Sequence, residues 1–121
     1  MVNEYGALAE ILGAWRTAFD AHRVDDIVAL FADDALFQGL SPQLLEGTAQ
    51  IRTYYEHVPA GMTAEVEVLR SRTVGPEAVA GFAAVTFRPR SGEPLPVRLS
   101  VVAQHLDTGW RIRQYHVSRA A

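Results

Sequence analysis

Apolar residues in the first half of the chain recur at three- and four-residue spacing. Leu8, Ile11, Leu12, Trp15 and Phe19 trace one helix face, while Glu10, Arg16, Asp20 and Arg23 fall mostly elsewhere. The spacing predicts a helix over residues 4–22. A break follows at His22-Arg23-Val24. Asp25 and Asp26 suit the first turn of a short second helix, where negative charge meets the positive end of the helix dipole. Ile27, Leu30 and Phe31 give it an apolar stripe, Asp33-Asp34 end it, and residues 35–39 read as a short strand. After the loop Leu40-Ser41-Pro42-Gln43, Thr48 is a suitable N-cap. Ile51, Tyr54, Tyr55 and Val58 then mark a third helix, stopped by Pro59-Ala60-Gly61.

The second half changes period. Residues 64–74, 77–88, 95–107 and 110–119 are β-rich, with turn signals at Gly75-Pro76, Ser91-Gly92 and Thr108-Gly109. Short turns at this spacing imply an antiparallel meander. In strict alternation, Trp110, Ile112, Gln114, His116 and Ser118 share one face of the last strand. That face starts apolar and becomes polar, as a strand does when it runs from a core into a polar cavity. A two-residue loop at Thr108-Gly109 sets Ala103 opposite Gln114 and Val101 opposite His116. A similar loop at Ser91-Gly92 adds Ala80, Phe82, Ala84, Thr86 and Arg88 to the same face. The opposite face then carries Val79, Ala83, Val85, Phe87, Val102, Leu106, Tyr115 and Val117. It is apolar too, and a partner subunit is the economical cover for it. The fold class expected is α+β, with N-terminal helices packed on a curved, mainly antiparallel sheet, as one domain over residues 1–121.

Composition narrows the chemistry. A length of 121 residues, 49% hydrophobic residues and 21% charged residues describe one folded domain able to bury a core. A net charge of −3 argues against nucleic acid. No apolar run approaches the ~18 residues of a membrane span, and the N-terminus has no basic stretch typical of a secretory signal. Cytoplasmic residence is the expectation. Cysteine is absent, which removes thiolate chemistry and cysteine zinc sites. All eleven basic residues are Arg, so no lysine Schiff base can form.

The order helix, short helix, strand, helix and long meander, closed by W-x-I-x-x-x-H-x-S, resembles the SnoaL-like branch of the nuclear transport factor 2-like, cystatin-like cone fold. The segments that carry the likeness are AWRTAFDAHRVDDIVALFADDALF (residues 14–37), LLEGTAQIRTYYE (44–56), VEVLRSRTVGPEAVAGF (66–82) and WRIRQYHVSR (110–119). The chain looks most like bacterial SnoaL-like proteins of the SgcJ/EcaC type, and is similar also to the association domain of calmodulin-dependent kinase II. The resemblance implies a sheet wrapped around three helices, a pocket inside the cone and sheet-to-sheet homodimers. Val101 aligns with an arginine of the kinase association domain, and Gln114 with a histidine common in bacterial relatives. An anionic ligand held from that strand and a histidine pair are therefore not implied here. The fold hosts isomerases, cyclases, dehydratases, hydrolases and pure binding modules, so it leaves activity open.

Among candidate residues, His116 is the leading acid or base, with Tyr54 or Tyr55 offering a phenol to a carbonyl. Trp15, Phe19, Tyr55, Phe82, Arg88, Val101 and Gln114 are the candidate ligand-binding residues, giving a mainly apolar cavity with few polar groups. No cofactor is expected. The glycines Gly6, Gly13, Gly39 and Gly47 are isolated and form no phosphate loop. No metal is expected either, since His105 and His116 would stand roughly 13 Å apart on one sheet face. Two classes of function follow. One is a polyketide or secondary-metabolite tailoring enzyme doing cofactor-free acid/base chemistry of the isomerase, cyclase or hydrolase kind. The other is a non-catalytic binding or association module. The expected partners are a small apolar molecule and a second copy through the outer sheet face, with neither nucleic acid nor membrane.

Overall fold

A computed structural model describes residues 6–120. The elements run α1 (Gly6–Asp20), α2 (Val24–Val28), β1 (Phe31–Gln38), β2 (Leu45–Glu46), α3 (Gly47–Glu56), β3 (Thr63–Gly75), β4 (Ala78–Arg88), β5 (Leu95–Leu106) and β6 (Gly109–Arg119). The start expected for the first helix lies outside the described residues. The strands form one six-stranded sheet in the order β2-β1-β6-β5-β4-β3. All neighbours are antiparallel except β1 and β6, which run parallel. No described helix is long and apolar enough to cross a membrane.

Two local expectations change. Asp33-Asp34 do not end a helix. They sit exposed within β1, where the pairing with β6 slips between Phe31 and Leu36. Asp34 there pairs with Arg113 at 2.9 Å. Helix α3 is not capped by Thr48. It starts at Gly47, whose φ of +83° favours glycine, and the Gln50 side chain accepts the backbone N–H of Glu46 at 2.8 Å.

The largest correction concerns which sheet face is covered. The β5–β6 turn is Asp107-Thr108, with Leu106 opposite Gly109, one residue earlier than expected. Then β6 carries a bulge: Ala103 faces Ile112 but Val102 faces Gln114, which leaves Arg113 without an opposite residue. The extra residue reverses the alternation. Ile112, Tyr115 and Val117 all point to the core, while Gln114, His116 and Ser118 point away and are exposed. The β4–β5 connection is also longer than two residues, since Phe87 pairs with Leu95. Val79, Ala83, Val85 and Phe87 therefore share the core face with Val97, Leu99, Val101 and Ala103. Val79, Ala83, Val85, Phe87, Tyr115 and Val117, expected on the outer face, lie instead on the inner face, covered by the chain's own helices, while Val102 stays outside.

Those helices close the core through specific ties. Trp15, fully buried on α1, stacks on Phe19 with ring centroids 5.0 Å apart. Phe37 of β1 stacks on Tyr115 of β6 at 4.4 Å. Helix α1 approaches the sheet over Gly81, where a side-chain carbon would collide with Leu8 and with the carbonyl of Arg70. The end of α1 is held by Asp20, whose carboxylate accepts the backbone N–H of Ala64 at 2.8 Å.

Candidate functional site

A cavity of about 190 Å³ lies between the helices and the concave sheet face. Phe19, Tyr55, Phe87 and Tyr115 are the buried part of its lining. Leu40, Tyr54, Val58, Met62, Pro89, Glu93 and Leu95 complete it. Each wall comes from a different element: α1 gives Phe19, α3 gives the tyrosine pair, β4 gives Phe87 and β6 gives Tyr115. Glu93 is the one formally charged side chain in the lining, and it is exposed.

The polar groups of the chamber are phenols. Trp15 Nε1–H donates to Tyr55 Oη at 3.0 Å, and the Tyr115 hydroxyl stands near that of Tyr55. The indole contact uses the Tyr55 oxygen as acceptor, so the pair faces the cavity it lines as phenolic donors. Burial raises the pKa of both phenols well above the usual tyrosine value. Burial raises that of Tyr54 also, against an opposing hydrogen bond to the backbone of Leu40. The chamber thus offers neutral hydrogen-bond donors rather than a group that titrates near neutrality.

The candidate residues separate into two groups. Phe19, Tyr54 and Tyr55 line the cavity. Trp15 stands behind Tyr55 as its donor and does not line it. Val101 is buried in the core, away from the cavity wall. Phe82 lies on the outer sheet face, 51% exposed. Arg88 is on that face too, paired with Glu65 at 3.1 Å. Gln114 and His116 line a shallow groove on the far side of the sheet with Leu36 and Leu44. The expectation that His116 serves as acid or base inside the cone is corrected by the bulge at Arg113. Residues that the sequence reading assigned elsewhere, Tyr115 and Phe87, form much of the chamber instead.

Among the described residues no three His, Asp or Glu side chains are grouped to hold a metal ion. His105 lies beside Trp110 and Glu77, at the opposite end of β6 from His116.

The SnoaL-like domain family matches residues 8–121, and the chain belongs to that family. No curated protein sequence matches it. Among solved structures it is similar to a ketosteroid isomerase-like protein from Erwinia carotovora atroseptica. That pair is 16% identical with a TM-score of 0.85, over 100% of this chain and 99% of the other. It is similar to a cystatin-like domain of unknown function from Nostoc punctiforme, with 19% identity and a TM-score of 0.84 over 98% and 78% of the two chains. A Thiobacillus denitrificans protein likened to the calcium/calmodulin-dependent protein kinase type II association domain shows 18% identity and a TM-score of 0.78, over 93% and 94%. At these identities the likeness establishes the fold, an α+β cone also described as nuclear transport factor 2-like.

Proposed function

We propose that the protein binds a small, neutral, mainly apolar molecule carrying one hydrogen-bond acceptor, held in the aromatic chamber. The observation that carries this reading is the buried Tyr55–Tyr115 phenol pair, with the Tyr55 oxygen already accepting from Trp15, on an otherwise apolar wall. An acceptor such as a ketone oxygen takes a phenolic proton from the pair. A hydrocarbon of the same shape leaves it unpaired, which costs affinity. A carboxylate ligand would meet phenols but no cation in the lining, with Glu93 at the rim opposing it.

Of the two functional classes, the non-catalytic binder fits the chamber better. Proton abstraction at neutral pH needs a base of suitable pKa within reach of the substrate. The chamber's phenols are held neutral, and His116 is on the other side of the sheet. The test is ligand-observed NMR with acetophenone and isopropylbenzene, which share a shape and differ in the acceptor. The ketone should bind about three- to tenfold tighter. Tyr55→Phe combined with Tyr115→Phe should remove the difference, and Met62→Trp should block both ligands. Equal binding of the two by the wild type would sink the proposal.

A further inference from the structure

The chamber is small for a metabolite. A cavity of about 150 Å³ holds one benzene ring, while sites for larger ligands run from about 300 to 1,000 Å³. At about 190 Å³ the chamber takes a single ring. Directly outside it lies a second cleft of about 610 Å³, on the same side of the molecule. The two share four lining residues, Leu40, Tyr54, Val58 and Met62. These side chains form a wall with the aromatic chamber on one side. On the other side Gln43, Gln50, Thr53 and His57 supply polar groups.

The wall is held by slight means. None of its four residues is fully buried, and Leu40 is 38% exposed. Residues 41–44, which follow Leu40, are exposed throughout. The Tyr54 hydroxyl sits against the Gly39–Leu40 backbone, with the Leu40 N–H facing its oxygen, and ties the loop to α3. Gly39 leaves the notch into which that phenol fits, because a side-chain carbon there would collide with the Tyr54 ring and hydroxyl.

We propose that chamber and cleft are two halves of one site, with Leu40 and Tyr54 as its gate. The site takes an elongated ligand: an aromatic ring with an acceptor inside, and a hydrogen-bonding tail reaching Gln50 and His57. This rests on the reading of the chamber as a ligand site and adds to it the length and the tail chemistry of the ligand. Parting the Tyr54 hydroxyl from the Gly39–Leu40 backbone is the opening step. The charged groups near the gate are Glu93, at the chamber rim, and Arg90, whose guanidinium packs over Gly61 next to Met62.

The experiment compares acetophenone with acetophenone bearing a para hydroxyalkyl-amide tail. The tailed ketone should bind about three- to tenfold tighter, the gain of one or two net hydrogen bonds. It should shift the Trp15 indole resonance and the amides of residues 50–57 in a single titration. Gln50→Ala with His57→Ala should return its affinity to that of acetophenone. Tyr54→Phe, which unties the loop while keeping the ring, should speed its association severalfold. Acetophenone binding without any gain from the tail would overturn this proposal and leave the chamber reading standing. Failure of acetophenone to bind would overturn both.

Discussion

Trp15 and Tyr55 are joined by a buried hydrogen bond of 3.0 Å between residues 40 apart in sequence, and it fixes α3 against α1 at the chamber floor. Both side chains are almost completely buried. An indole N–H in such a place has no access to water if its acceptor is removed. Tyr55→Phe should therefore lower stability by about 1–3 kcal/mol, the desolvation cost of a stranded donor. Chemical denaturation of the variant checks the value. A loss below about 0.3 kcal/mol would show that the bond contributes nothing net.

The same burial makes stability sensitive to alkali. Tyr54, Tyr55 and Tyr115 have folded-state pKa values above the ordinary value of 10.0. An unfolded chain then loses its phenolic protons at lower pH than the folded one. The folded state binds more protons in that range, so stability falls as pH rises. The contribution is fully present below pH ~10 and is lost progressively above it. Urea midpoints measured from pH 8 to 11 should stay level and then fall. Tyr115→Phe should soften that fall. A midpoint that rises between pH 10 and 11 would contradict the sign.

His116 gives a sharper test of the site. It is exposed on the outer face of β6, across the sheet from the chamber. His116→Ala should leave ketone affinity unchanged and alter stability by no more than about 0.5 kcal/mol. Loss of chamber binding in this variant would instead place His116 inside the cone.

That register was written in the sequence, although strict alternation misses it. In β6 the apolar positions are even at Trp110 and Ile112, and odd at Tyr115 and Val117. A switch of parity within one strand is the mark of an extra residue, and Arg113 is that residue. Strand β3 shows the same feature. Ala64, Val66 and Val68 pair across from core positions, Leu69 is skipped, and Ser71 continues the inner face. The helices were legible because Leu8, Ile11, Leu12, Trp15 and Phe19 keep one period over about three turns. The order of elements was legible for the same reason and carried the family resemblance. The chamber was not, because it depends on where two β-turns fall, and a one-residue slip exchanges the two faces. The seven residues between Phe87 and Leu95 also hide the β4–β5 register from any rule for short hairpins.

His22 ends α1 in a left-handed conformation, with φ of 55°. Its N–H donates to Phe19 O at 3.0 Å, and that of Arg23 to Ala18 O at 2.9 Å, the paired bonds of a Schellman cap. Glycine takes this conformation without the steric cost a side chain carries, about 1–2 kcal/mol. It also gives up more chain entropy on folding. The net expectation for His22→Gly is a gain of about 0.5–1 kcal/mol, read as a raised thermal midpoint. A lowered midpoint would show that the imidazole contributes contacts worth more than the strain.

The final prediction concerns a second copy of the chain. Strict alternation puts Val85, Phe87, Val102 and Val117 on the outer face through which a homodimer is expected. Val85, Phe87 and Val117 are instead buried beneath the helices. We propose that the dimer forms through the true outer face and is centred on Phe82. Phe82 is half exposed in the middle of β4, between Ala80 and Ala84 and opposite Ser100 of β5. Val102 lies across from Ala80 on the same face. Charged side chains of that face, among them Glu65, Glu67, Arg70, Arg72, Arg88 and Arg98, border this strip, which suits an apolar centre with a polar rim. An aromatic ring at the centre of an isologous contact meets the same patch on its partner, so one substitution acts twice. Sedimentation at micromolar concentration should give a dimer for the wild type and a folded monomer for Phe82→Glu. Val85→Glu should instead unfold the protein, because it places a charge in the core. A wild type that sediments as a monomer, or a Phe82→Glu variant that still dimerises, would rule this interface out.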